Sequence, residues 1–118
     1  MATKDEVNRF LSAFNAKSKI FNVIFLSRDK NLQALLFLEI TASSRKEIIE
    51  SLTFEDYSEG PVTDTLNKGS DMWIFGKTVK DHEVYIKISM GTPNNSTICI
   101  SFHLSEYKMA YPLKKKSL

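Results

Sequence analysis

The sequence predicts an α+β domain in which N-terminal helices pack on a curved antiparallel sheet. Three observations carry this reading. Helical periodicity fills the first half of the chain, apolar–polar alternation fills the second, and helices precede strands instead of alternating with them. "VNRFLSAF" shows the first pattern; "DHEVYIKISM" and "TICISFHL" show the second.

The elements follow in order. "TKDEVNRFLSAF" starts a helix: Thr3 and Glu6 have capping-box spacing, and Val7, Phe10, Leu11 and Phe14 recur at i, i+3, i+4 and i+7. "KIFNVIFLS" reads as a strand, with Phe21, Val23 and Phe25 on one face and Ile20, Ile24 and Leu26 towards the other. "DKNLQALLFL" reads as a helix from Asp29, with Leu32, Leu35 and Leu36 inward. "TASSRKEIIESL" repeats the start signal, with Ser44 and Glu47 as a second capping box. "TFEDYSEGPVTDTLNKGSD" is acidic and reads as a short strand followed by a long exposed loop. "MWIFGKTV" is a strand, "KDH" a turn, and the two alternating segments are the last strands. Neither a linker nor a repeat interrupts residues 1–118, so one domain is expected.

Composition narrows the function classes. At 42% hydrophobic and 25% charged, the chain reads as a soluble globular domain. No apolar run approaches the roughly 20 residues that span a bilayer. "MATKDEVNRF" lacks the apolar stretch of a secretory signal, so the expectation is a cytoplasmic protein with no membrane partner. Cys99 is the only cysteine, which excludes an internal disulfide and a four-cysteine metal site. With no Gly-rich phosphate loop, Cys/His metal spacing or nucleophile elbow, neither a cofactor nor a metal is expected. The net charge of +2 is unevenly spread: residues 1–70 carry 9 basic and 10 acidic side chains, residues 71–118 carry 7 and 4. A basic C-terminal third, ending in "YPLKKKSL", suits a polyanionic partner.

The polar sides of the last two strands carry the chemistry. Glu83, Tyr85, Lys87 and Ser89 alternate with Val84, Ile86, Ile88 and Met90; Thr97, Cys99, Ser101 and His103 alternate with Ile98, Ile100, Phe102 and Leu104. If both apolar sides face one core, an antiparallel pairing is confined to alternate registers, because a one-residue slip turns a strand inside out. One register sets Tyr85 opposite His103 and Lys87 opposite Ser101; the next sets Lys87 opposite His103. Either way Tyr85, Lys87 and His103 crowd one patch.

Such a patch suits RNA cleavage without metal. The 2′-OH of RNA attacks its own phosphorus once a base removes the proton, a cation stabilises the phosphoryl oxygens, and an acid protonates the departing 5′ oxygen. His103 suits the proton transfer, Lys87 the charge, and Tyr85 orientation or stacking. Ser101 lies beside them on its strand as a candidate RNA contact. Trp73 could stack on a base and Lys77 could reach the same patch, although half-buried packing and an ordinary strand end also account for these two.

"EVYIKIS", "TICISFH", "MWIFGK" and "EDYSEGP" together resemble the MqsR family of bacterial toxins, over about residues 4–114. The resemblance implies a RelE-like fold, metal-independent endoribonuclease activity on mRNA, and neutralisation by a cognate antitoxin with zinc-binding and helix-turn-helix domains. It places the family's functional tyrosine on Tyr85 and the following lysine on Lys87. The family's lysine at the end of the last strand falls on His103. Two further functional positions fall on Ser58, which supplies no charge, and on Ile74, which cannot hydrogen-bond. The alternative reading is a non-catalytic RNA- or protein-binding module that keeps the fold.

Overall fold

The computed structural model describes residues 1–65 and 69–115. Residues 66–68 of the expected acidic loop and Lys116 of the expected basic tail lie outside them. Helix α1 (Lys4–Phe21) leads into strand β1 (Val23–Phe25), helices α2 (Asp29–Leu38) and α3 (Ala42–Glu50), and a 3₁₀ turn at Phe54–Asp56. Strands β2 (Tyr57–Val62), β3 (Met72–Val79), β4 (His82–Ser89) and β5 (Thr97–Leu104) complete the fold. The strands form one sheet in the order β1-β5-β4-β3-β2. The α+β class is as the sequence predicts. The sheet is mixed, however: β2 to β5 are antiparallel, whereas β1 runs parallel to β5. Two helices separate β1 from the rest, so no hairpin dictates its direction.

The predicted capping box forms at Thr3 and Glu6, and Val7, Phe10, Leu11 and Phe14 are buried against the sheet. They meet Phe75, Val84, Ile86, Ile88, Cys99 and Phe102 in one core. Phe14 is 1% exposed, and truncating it to alanine would cost about 3–5 kcal/mol. A two-residue turn joins β3 to β4, with both Lys80 (φ 48°) and Asp81 (φ 70°) in the left-handed region that matches hairpin twist.

Three sequence expectations shift. α1 continues to Phe21, so the first strand is only three residues long and Ile20 belongs to the helix. The N-cap of α3 is Thr41, which accepts the Ser44 N–H at 3.0 Å; Ser44 lies within the helix. The rotation of α2 is the largest change. Asn31, Ala34 and Leu38 face inward, while Leu32 and Leu36 are exposed.

Asn31 explains that rotation. Its amide nitrogen donates to the carbonyls of Leu26 (2.9 Å) and Ile100 (3.0 Å), and its amide oxygen accepts the Phe102 N–H (3.0 Å). The side chain thus continues the ladder along β5 where β1 has ended, and it is 2% exposed. A buried amide satisfied three times outweighs the leucine stripe in deciding which face of α2 turns inward.

The same contact marks a break in register. Tyr85 pairs with His103 and Lys87 with Ser101, but Ile88 pairs with Cys99 and Ser89 with Ile98. Ile100 is the extra residue of a β-bulge. Beyond it every side chain of β5 changes face. Thr97 and Cys99 are therefore buried with the helices, and the Thr97 hydroxyl meets that of Ser18 at 2.7 Å. Ile98 and Ile100, expected in the core, face the other way and line a surface groove.

Past β5 the chain returns over the sheet face that α1 leaves open. Glu83 anchors it, accepting the Met109 N–H at 2.9 Å and the Tyr111 hydroxyl at 2.7 Å. Gly76 makes the crossing possible, since a Cβ there would come within 2.2 Å of the Tyr111 hydroxyl and 2.9 Å of the Met109 sulfur.

Candidate active site

Parity along β4 and β5 puts Tyr85, Lys87, Ser101 and His103 on the open face, in the first of the two expected registers. The rings of Tyr85 and His103 stack with centroids 5.1 Å apart and planes 9° apart, while the Lys87 ammonium lies 5.9 Å from the centre of the Tyr85 ring. Stacking fixes both rings without using the polar edge of either. Ser101 is 2% exposed, yet it lines the groove these residues form.

Local hydrogen bonding sets the chemistry of His103. Its Nδ1 lies 2.9 Å from the Leu104 carbonyl, which can only accept, so Nδ1 carries the proton in this contact. In the neutral ring Nε2 then holds the lone pair, the state required of a base. Tyr85 is in the opposite condition. Burial, aided by Tyr107 and Glu59, pushes its hydroxyl up to about 12, so it stays protonated near neutrality and acts as a donor.

The groove has a volume of about 490 Å³ and gains five residues that sequence reasoning did not single out for the site: Arg28, Asp29, Lys30, Glu106 and Tyr107. Arg28 and Lys30 come from the start of α2, which Asn31 ties to β5. Lys30 pairs with Glu106, and this contact holds the exposed Glu106 carboxyl below its ordinary value. Arg28 and Lys87 have no carboxylate partner among the described residues. Arg28 occupies the loop leaving the C-terminal end of β1, and strand-end loops are where functional side chains concentrate. That position was its one signal in the sequence.

Two candidate RNA contacts do not join the patch. Trp73 lies on the helix-facing side, stacked on Phe10 with centroids 4.5 Å apart and planes 12° apart. Lys77 shares that side and binds Asp56 at 3.3 Å. Alternation sends residues 73, 75, 77 and 79 to the core side, away from Lys87 and His103. Ile74 does lie on the open face, directly opposite Lys87, and is 4% exposed. Ser58 is half-buried in β2.

No protein-family model, curated protein or solved structure matches this chain. Among the described residues no three His, Cys, Asp or Glu side chains group as metal ligands, and no helix is long and apolar enough to cross a membrane.

Proposed function

We propose that this chain is a cytoplasmic endoribonuclease that cleaves mRNA through its 2′-OH without a metal ion. One observation carries the reading: a stacked Tyr85–His103 pair and two cations without a carboxylate partner among the described residues, Lys87 and Arg28, share one open groove. His103 Nε2 takes the 2′ proton. Lys87 and Arg28 stabilise the phosphoryl oxygens as charge builds on them. Tyr85 orients the imidazole, and water at the open mouth supplies the proton to the departing 5′ oxygen. The products are a 2′,3′-cyclic phosphate and a 5′-hydroxyl.

The likeness to MqsR toxins points the same way. Its tyrosine, its terminal lysine position and its glutamine position correspond to Tyr85, His103 and Ile74, three residues of one sheet face. Arg28 supplies the charge that Ser58 lacks. The proposed partner is a cognate antitoxin with zinc-binding and helix-turn-helix domains, which would silence the nuclease by covering this groove.

The test is cleavage of single-stranded RNA by the purified protein in excess EDTA, with end-group analysis. Cyclic phosphate ends in EDTA are expected. Cleavage that vanishes with EDTA and returns with magnesium would sink the mechanism. Ile74, aliphatic beside Lys87, favours a second reading: a non-catalytic RNA- or protein-binding module. RNA that is bound but never cut would put that reading first.

A further inference from the structure

Arg28 and Lys87 border a second groove as well as the first, so the two join into one trough with these cations at its waist. The second groove has a volume of about 420 Å³, within the roughly 300–1,000 Å³ of small-molecule sites. Its lining includes four aliphatic side chains, Leu26, Met72, Ile98 and Ile100, alongside polar ones that include Asp64. The bulge, pinned by Asn31, is what turns the last two out of the core.

Ser89 lies at the same end. It is 3% exposed, and its hydroxyl oxygen accepts the Gly91 N–H at 3.2 Å. Its hydroxyl proton has no acceptor among the described residues. A buried donor without an acceptor is uncommon and calls for a ligand atom or water. The aliphatic side chains, one buried donor and two cations at the entrance match a flat heteroaromatic ring with an acceptor on its edge and a phosphate attached. Enzymes that read single bases pair apolar packing against the faces with hydrogen bonds to the edge in this way.

We propose that this end of the trough is a nucleoside subsite. It takes the base of the nucleotide adjoining the scissile phosphate, while Arg28 and Lys87 hold the phosphate, and Ser89 donates to an acceptor on the base edge. The subsite thereby selects which dinucleotide step is cut. This rests on the RNA-cleavage reading.

The experiment has two arms. Wild type, Ser89→Ala and Ile98→Ser act on a randomised RNA pool, and cut positions are read by sequencing. Separately, a 2′-deoxy oligonucleotide, which cannot be cleaved, is titrated into wild type while the Ile98 and Ile100 methyl resonances are followed. The expected result is a roughly 3- to 10-fold change in base preference beside the cut in both variants, the size of one lost hydrogen bond or packing contact, with both methyls moving on titration. Unchanged preferences and still methyls, with RNA cut normally, overturn the subsite and leave the nuclease. Moving methyls with no RNA cut keep the subsite and overturn the nuclease. Still methyls with no cleavage overturn both. The titration needs no variant, so a substitution that prevents folding leaves the question decidable.

Discussion

The two halves of the β4–β5 pair obey one pattern with opposite results. From Lys87–Ser101 to Val84–Leu104 the alternation holds, so polar side chains reach the open face and form the site. From Ile88–Cys99 onward the polar positions of β5, Thr97 and Cys99, face the helices, while Ile98 and Ile100 face the groove. One extra residue makes the difference. In the regular half, the sheet presents the groups proposed to cut RNA; in the inverted half, it presents aliphatic side chains proposed to choose where. A single bulge thus lets one strand serve both tasks, and each prediction below separates the halves.

The largest effect belongs to the regular half. His103→Ala should slow RNA cleavage by roughly 10²–10⁴-fold, the usual contribution of a general base. Thermal stability should fall by about 1–2 kcal/mol, since the stack with Tyr85 and the Nδ1 hydrogen bond to the Leu104 carbonyl are lost. Unaltered cleavage would exclude histidine catalysis, whereas an unfolded variant would make His103 structural.

The next effect belongs to the bulge. Asn31→Ala removes hydrogen bonds to Leu26, Ile100 and Phe102, leaving buried backbone groups unpaired, and should cost about 2–4 kcal/mol in denaturant unfolding. Cys99 reports the register directly. It is 1% exposed, and burial pushes its thiol up to about 12, so alkylation of the native protein should be slow. Asn31→Ala should quicken it. A Cys99 that reacts as fast in native protein as in denaturant would mean that the strand is not inverted.

What could be read from the sequence divides at the same place. The capping box at Thr3, the α1 stripe and the antiparallel pairing of the last two strands follow from spacing, which narrows the register to two choices, of which the structure has the one that sets Tyr85 opposite His103. The bulge does not, because "TICISFHL" alternates without a glycine or any other local mark at Ile100. Its cause is Asn31, distant in sequence, and the same asparagine turns Leu32 and Leu36 of α2 outward against their apolar character. Arg28 joined the site for a related reason: tertiary contacts of α2, not local pattern, bring it to the groove. Trp73 and Lys77, which the sequence leaves open between RNA contact and ordinary packing, go to the helix side by strict alternation along β3.

A smaller effect should separate the ring of Tyr85 from its hydroxyl. Tyr85→Ala removes the stack and should cut activity about tenfold, in line with stacking contributions of about 1–3 kcal/mol. Tyr85→Phe keeps the ring and should stay within about threefold on the same basis. The hydroxyl matters at high pH. Its folded pKa is raised to about 12 from the ordinary value of about 10. Its contribution to stability is therefore complete below about pH 10 and is lost as pH rises through 12. Thermal melts should decline over that window, and less steeply in Tyr85→Phe. An equally steep decline would assign the whole slope to Cys99 and Tyr111, whose groups are also shifted upward.

The smallest effect should come from the other histidine. His82 and His103 occupy adjacent strands but opposite faces of the sheet, since His82 shares the parity of Val84 and Ile86. His82 is exposed beside the Lys80–Asp81 turn, and its ring meets that of Phe37 in a T-shaped contact with centroids 5.0 Å apart. Among the described residues no contact ties it to Lys87 or Arg28. His82→Ala should leave cleavage within about twofold and stability within about 0.5 kcal/mol, as for most surface positions. Because the two substitutions remove the same chemical group, the contrast between them depends on face alone. Equal losses from both, with both proteins folded, would mean that the chemistry is not confined to the open face.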